Sequence, residues 1–326
     1  MKTLALGAFL AVVAASPQNT TPAELTPLRV NTFPTARSLP FFVGLEKGIF
    51  ARHGIALELE FTDSSKAQRE GLASGKFQVV HSAVDNAIAM VEQANVDVVI
   101  VSGGDGGTNE VIVGRGIRSY ADVRGKALVT DAPNTAYALQ ARKILARHGL
   151  GPADYRINAA GAGPFRLKAM LEGGDNAIAI MNLPFSAQAI EAGMTSLGRT
   201  VDLLGPYQAG GAFVLRAWAR ANTQLLERYI AGYVEALRWV LGASHRDEAI
   251  ALLMEKRQLS RPLATRSFDL MIEPGFGFNP DARLNVEGFA NVLALRQEVE
   301  GGPPLVAARY LDLTYYENAL KALAGR

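Results

Sequence analysis

LRVNTFPTARSLPFFVGLEKGIFARHGIALELEFT, residues 28–62, is the stretch whose reading decides the fold. Residues 28–33 form a short β-type run. Residues 39–53 put Phe42, Leu45, Ile49 and Phe50 on one helical face, and residues 55–62 alternate as a second strand. A strand, a helix and a strand in quick succession is the unit of a mostly parallel sheet covered by helices. The unit repeats outward, with a helix at 64–74, a strand at 77–82, a helix at 84–94 and a continuous apolar strand at 96–102.

After the glycine-rich loop 103–108 and a strand at 109–114, the alternation restarts. Strands are expected at 126–130, 155–159, 176–181 and near 200–204, and helices at 134–148, 165–173 and 184–192. The first helix of each series ends alike, Ala51-Arg52-His53-Gly54 and Ala146-Arg147-His148-Gly149. Arg and His complement the negative helix C-terminus and Gly takes the left-handed position beyond it, so both histidines read as structural. Residues after Asn222, a helix N-cap by type, read as helical and should pack back on the first series. Two lobes follow, 28–110 with 214–326 and 111–213, joined by two chain crossings near 109–114 and 212–216. A chain of 326 residues is also longer than one core usually serves.

Hydrophobic residues make up 49% of the chain and charged residues 20%, with a formal net charge of +2, so a folded chain is expected and nucleic acid is not a partner. Met1-Lys2 followed by the apolar run 4–15 reads as a secretory signal peptide. With the leader behind it this segment covers residues 1–23, and Ala14, Ala15 and Ser16 before Pro17 offer cleavage positions. There is no cysteine, which excludes disulfides, thiol catalysis and a lipid anchor on an N-terminal Cys. An exported chain without such an anchor points to the periplasm.

The catalytic inventory is negative: the chain has no His-Glu-x-x-His, no Gly-x-Ser-x-Gly and no Gly-Lys-Ser/Thr phosphate loop. The loop 103–108 lacks the lysine of a phosphate cradle and reads as a connection or cleft wall. The four histidines show no metal-ligand spacing, so neither a metal nor a cofactor is expected. In open α/β lobes ligands settle beyond the carboxyl ends of the strands. Here that means the loops 33–40, 81–86, 130–135, 161–165 and 181–184, with Ser38, Ser82 and Asn134 as N-capping types at helix starts.

The segment from Ser38 through Phe50, Ser-Leu-Pro-Phe-Phe-Val-Gly-Leu-Glu-Lys-Gly-Ile-Phe, followed by His53-Gly54-Ile55-Ala56-Leu57-Glu58-Leu59, resembles the opening of the nitrate/sulfonate/taurine-type substrate-binding proteins of ABC importers, which include a thiamine-pyrimidine-synthase-like branch. Residues 72–80, with Gln78 where an Asp is commoner, and Asp122-Val123-Arg124-Gly125-Lys126 with Asn134-Thr135 extend the resemblance. It implies the type II periplasmic-binding-protein fold, two α/β lobes with a central cleft and two hinge crossings. It also implies a monomeric receptor that closes on a small molecule and docks on an inner-membrane permease.

By that resemblance the five loops surround the ligand. Arg37 suits a carboxylate or sulfonate, and Arg166, just inside a helix start, opposes the helix dipole unless it meets an anion. Thr32, Ser38, Ser82, Asn134, Thr135 and Asn182 offer hydrogen bonds, and Phe33, Pro40, Phe41, Tyr137, Phe165 and Pro184 offer walls. Asp85 reads either as satisfying helix N–H groups or as a partner for an amine. The expected ligand is a small organic anion, a sulfonate or carboxylate and possibly aromatic, with a pyrimidine or other heterocycle as the alternative. A catalytic role on the same fold would fall to His81. The enzyme branch that builds a pyrimidine needs a cysteine cluster that is absent here, and a sensor role would share every feature of the receptor.

Overall fold

The computed structural model describes residues 24–325, so the expected signal segment lies outside the described residues. Strands β1 (Thr26–Thr32), β2 (Ile55–Phe61), β3 (Val79–Ala83), β4 (Val98–Asp105) and, much later in the chain, β10 (Gly210–Leu215) form one sheet in the order β2-β1-β3-β10-β4. Strands β5 (Glu110–Val113), β6 (Ala127–Thr130), β7 (Arg156–Ala159), β8 (Asn176–Met181) and β9 (Thr195–Arg199) form the second in the order β7-β6-β8-β5-β9. The two sheets repeat one plan. In each, the antiparallel strand next to the edge is the one the chain enters directly after crossing from the other sheet.

Helices α1 (Leu39–Glu46), α2 (Ile49–Arg52), α3 (Ser65–Ala73) and α4 (Val84–Ala94) belong to the first sheet. The second carries α5 (Ala136–Arg147), α6 (Gly163–Glu172), α7 (Phe185–Glu191) and α8 (Thr200–Leu204). The remainder is helical: α9 (Arg216–Ala221), α10 (Thr223–Leu241), α11 (Arg246–Arg257), α12 (Arg261–Met271), α13 (Val286–Glu300) and α14 (Thr314–Ala324). Helix α10 buries Leu226, Tyr229, Ile230, Tyr233, Val234, Leu237 and Val240, a stripe at helical spacing that joins α1, α2 and the first sheet in the main core.

Several local expectations are corrected. Residues 200–204 are helical, because the neighbouring Thr195–Arg199 already occupies the sheet edge beside β5, and Leu203 and Leu204 instead pack against the core of the second lobe. The first helix is broken at Gly48, whose φ of 63° is left-handed. None of the four N-cap side chains caps a helix. Ser38 ends a 3₁₀ turn and donates back to Phe33 O at 3.0 Å. Asn222 donates to Trp218 O at 2.9 Å, Asn134 precedes the actual cap, Thr135, and Ala83 rather than Ser82 starts α4. The tetrapeptide endings behave as expected: His53 and His148 close their helices, and Gly54 and Gly149 have φ of 71° and 76°. His53 pairs with Glu235 at 2.8 Å, and His148 stacks on Tyr120.

The crossings between sheets fall at 106–109 and 205–209, earlier than expected, so Gly210–Phe213 stands in the first sheet rather than the second lobe. The glycine-rich loop is neither a phosphate cradle nor a loose connection, since residues 103–108 are all buried. Gly106 N donates to Gly277 O and Asn279 N to Gly104 O, both at 2.8 Å, so a C-terminal segment lies backbone to backbone on the end of β4. A Cβ on Gly103 would sit 2.4 Å from Arg283 O, and one on Gly106 would sit 2.6 Å from Gly275 O. Gly103→Ala is expected to lower stability by about 1–3 kcal/mol through this backbone clash. Urea denaturation would measure the loss, and an unchanged midpoint would mean that the segment docks without close contact.

Candidate functional site

Strand-end loops of the first lobe converge on a narrow pocket with room of only about 20 Å³, lined by Thr32, Phe33, Thr35, Arg37, Phe41, His81, Ser82, Asp105, Gly210 and Tyr233. The 3₁₀ turn Ala36–Ser38 carries Arg37 inward, and its Nη1 donates to Asp105 Oδ1 at 2.5 Å. Burial alone would lower the Arg37 pKa, but the Asp105 charge, then Tyr137, the Asp105 hydrogen bond and Tyr233, raise it. The guanidinium therefore stays charged and is already paired.

His81, in the middle of β3, holds its ring edge-on to Phe41 at 5.3 Å and 4.2 Å from the Tyr233 ring. Burial, and then the Arg37 charge, hold its pKa down at about 3, so the imidazole is neutral at physiological pH. Thr32 Oγ1 donates to His81 O at 2.7 Å and ties β1 to β3. Burial likewise raises the Tyr233 phenol above its ordinary value.

The facing side comes from the second lobe. Asn182, after β8, donates from Nδ2 to the Tyr137 hydroxyl at 2.8 Å, and the Arg166 guanidinium stacks over the Tyr137 ring at 4.4 Å. Arg166 is buried, donates from Nη1 to Gly161 O at 2.9 Å, and has no carboxylate partner among the described residues. The lobes meet directly: Ala36 N donates to Leu183 O at 3.1 Å and Ala162 N to Asp63 O at 2.8 Å. Around this junction Arg37 Nε, His81 Nε2, Ser82 Oγ, Asn182 Oδ1 and Arg166 Nε are buried polar atoms without a protein partner among the described residues. Gathered at the strand ends, these atoms are available to polar groups from elsewhere.

Of the residues expected from sequence, Thr32, Phe33, Arg37, Phe41 and Ser82 line the first-lobe pocket, and Tyr137, Arg166 and Asn182 form the opposite cluster. Others are turned to structural tasks. Ser38 closes its turn, Thr135 Oγ1 donates to Ala132 O at 3.0 Å, and Asn134 Nδ2 donates to Gln93 Oε1 at 2.6 Å. Pro40 is buried within α1, Phe165 is exposed, and Pro184 caps the start of α7. Asp85 does not line the pocket and satisfies no helix N–H: Arg296 holds it from α13 at 3.0 and 2.8 Å.

Thr35, Asp105, Gly210 and Tyr233 were not expected. Asp105 was within reach of the strand-end rule, since it closes β4. Tyr233 carried no signal, because it arrives from a helix far along the chain. A larger groove of about 730 Å³ along α13 is apolar and lies away from the strand ends, so size alone does not select the site. Among the described residues there is no cluster of three or more metal-ligating side chains, and no helix long and apolar enough to cross a membrane.

Residues 21–254 match the model of the NMT1-like family. No curated protein matches the chain. Among solved structures, a protein of Bordetella bronchiseptica is similar at 18% identity, covering 92% of this chain and 99% of that one, with a TM-score of 0.78. The periplasmic nitrate-binding protein NrtA from Synechocystis is similar at 14% identity over 93% of this chain and 90% of that one, with a TM-score of 0.76. The alkanesulfonate-binding protein SsuA from Xanthomonas axonopodis pv. citri, bound to MOPS, is similar at 17% identity over 88% and 99%, with a TM-score of 0.70. The likeness shows the two-lobed periplasmic-binding-protein fold that the sequence led us to expect.

Proposed function

The chain belongs to the NMT1-like family, and from that membership we propose that it is the solute-binding receptor of an ABC importer, capturing a small organic anion by closure of its two lobes. The observation that carries this reading is the charge balance between the lobes. Two guanidiniums, Arg166, which is buried, and Arg37, whose side chain is 12% exposed, face one paired carboxylate, Asp105, which leaves one positive charge over. The nearby Asp131 is offset by Arg69. A monoanion restores neutrality, and a charge buried with its counter-charge and hydrogen bonds is the arrangement proteins tolerate. Two structural relatives are named for nitrate and alkanesulfonate, both anions.

The anion-binding role thus moves from Arg37, already engaged by Asp105, to Arg166. The Tyr137 ring beneath Arg166 gives the site an aromatic floor suited to a sulfonate or carboxylate with an apolar body. Binding proceeds without chemical change: a histidine held near pKa 3 is a poor proton acceptor at neutral pH, where a general base works best with a pKa near 7. The receptor works in the periplasm as a monomer and delivers its solute to an inner-membrane permease.

Isothermal titration against alkyl and aryl sulfonates, carboxylates and uncharged pyrimidines tests the proposal. At least one anion is expected to bind, and Arg166→Met is expected to weaken it by about 1.5–3 kcal/mol, the usual worth of a hydrogen bond to a charged group. Binding of pyrimidines alone, or anion affinity unchanged in Arg166→Met, would overturn the anion assignment.

A further inference from the structure

Asp131 stands at the end of β6 in the second lobe, yet its carboxylate serves a helix of the first. Ser65 N donates to Asp131 Oδ2 at 3.2 Å, and the Ser65 hydroxyl donates to the same oxygen. Both residues are buried. Ser65 opens α3, whose N-cap Ser64 already accepts from Ala67 N at 3.2 Å. The free N–H groups of this helix start are thus met from both lobes, Ala67 by its own and Ser65 by the other.

The surroundings are arranged for the contact. Asn86 Nδ2 donates to Ser65 Oγ at 3.4 Å, and Arg69, a turn along α3, donates to Asn86 Oδ1 at 3.1 Å. The positive end of α3 and the Arg69 charge both favour a carboxylate here. Beside this contact Ala162 N donates to Asp63 O at 2.8 Å, and Gly161, at φ +92°, lets that approach happen: a Cβ there would lie 3.0 Å from Asp63 O.

The geometry points to a latch: Asp131 and Ser65 hold the lobes shut through contacts made only in the closed arrangement, independently of what occupies the pocket. None of the latch atoms is among the pocket-lining groups. Their interaction therefore biases the open–closed equilibrium whether or not a solute is bound, and it sets affinity through the population of the closed state. The inference rests on the two-lobed architecture and not on the identity of the solute.

Because the chain has no cysteine, Glu255→Cys in the first lobe and Lys168→Cys in the second, both at exposed positions, give two unique spin-label sites. Pulsed electron-spin distances are then read without solute. The latched chain is expected to show a substantial short-distance population, which Asp131→Ala shifts to longer distances. Ser65→Ala, which removes only the hydroxyl, is expected to shift it in the same direction by less, and the double variant to go no further than Asp131→Ala.

Any solute bound by the parent chain is expected to bind Asp131→Ala about tenfold more weakly, equivalent to about 1.4 kcal/mol, through faster release. Circular dichroism of each variant confirms folding, and Ser65→Ala supplies the test if Asp131→Ala does not fold. A parent distribution as long as the variant's, or distances unchanged in both variants, overturns the latch. The distances are read without solute, so failure to find an anionic ligand leaves this result standing.

Discussion

Asp85→Ala is expected to lower stability by about 3 kcal/mol, the lower end of the range for breaking a buried ion pair by removing one partner. Asp85 and Arg296 are each 2% exposed in their side chains, and the guanidinium meets both carboxylate oxygens. Burial pushes the Asp85 carboxyl above its ordinary range, and Arg296 opposes this through charge and hydrogen bonds. The fork geometry is that of an ionised pair.

Removing the carboxylate strands a buried cation, relieved in part by Glu300, which accepts from Arg296 Nη1 at 2.5 Å. Replacing both partners, Asp85→Leu with Arg296→Met, is expected to recover most of the loss, since a matched apolar pair carries no stranded charge. Urea denaturation of single and double variants decides it; equal losses in both would mean that packing rather than charge is at stake. Arg296 also donates to Asn134 O at 3.1 Å, so the same pair fastens α13 to the second lobe.

The second large effect is a pH dependence. In the folded chain His81 has a pKa of about 3, and its ordinary value is 6.5. Above pH 6.5 neither folded nor unfolded chain protonates it and it contributes nothing. Below pH 6.5 the unfolded chain takes up a proton that the folded chain refuses, so stability falls as the pH falls. The slope is about 1.4 kcal/mol per pH unit until the folded histidine protonates near pH 3. Between pH 6.5 and 4.5 the parent chain is expected to lose about 2 kcal/mol more than His81→Gln, which cannot titrate. Comparing variant with parent cancels the carboxylates common to both. Parallel stability–pH curves would show that water reaches His81 in the folded state.

The alternation of strands and helices was legible in the sequence because period and punctuation are local: the residues 28–62 and the repeated Ala-Arg-His-Gly ending needed no partner to be read. The strand-end loops were legible for the same reason, since parallel topology fixes which loops face the cleft. Assignments failed where a distant segment chose the outcome. Asp85 looked like a helix-start acid, but its partner lies 211 residues further on. Residues 200–204, with Val201, Leu203 and Leu204, read as a strand, yet the edge beside β5 was already taken by Thr195–Arg199. Arg37 read as the stronger anion ligand and Arg166 as the weaker one until Asp105, unremarked at the end of β4, proved to be the partner of the first.

The position of β10 also governs the order in which the molecule can be made. Among the strands of its sheet, β4 is hydrogen-bonded only to β10, which the chain reaches at Gly210. The second sheet, in contrast, is complete within one uninterrupted stretch, 110–199. As the chain emerges from N- to C-terminus, the later lobe has all its strands while the earlier one still lacks the strand that joins its edge. Its pairings span the greater sequence separation, the kind of contact that forms slowly. The lobe begun first is therefore the one finished last, and its apolar β4 must wait without a partner strand while the whole second lobe is synthesised.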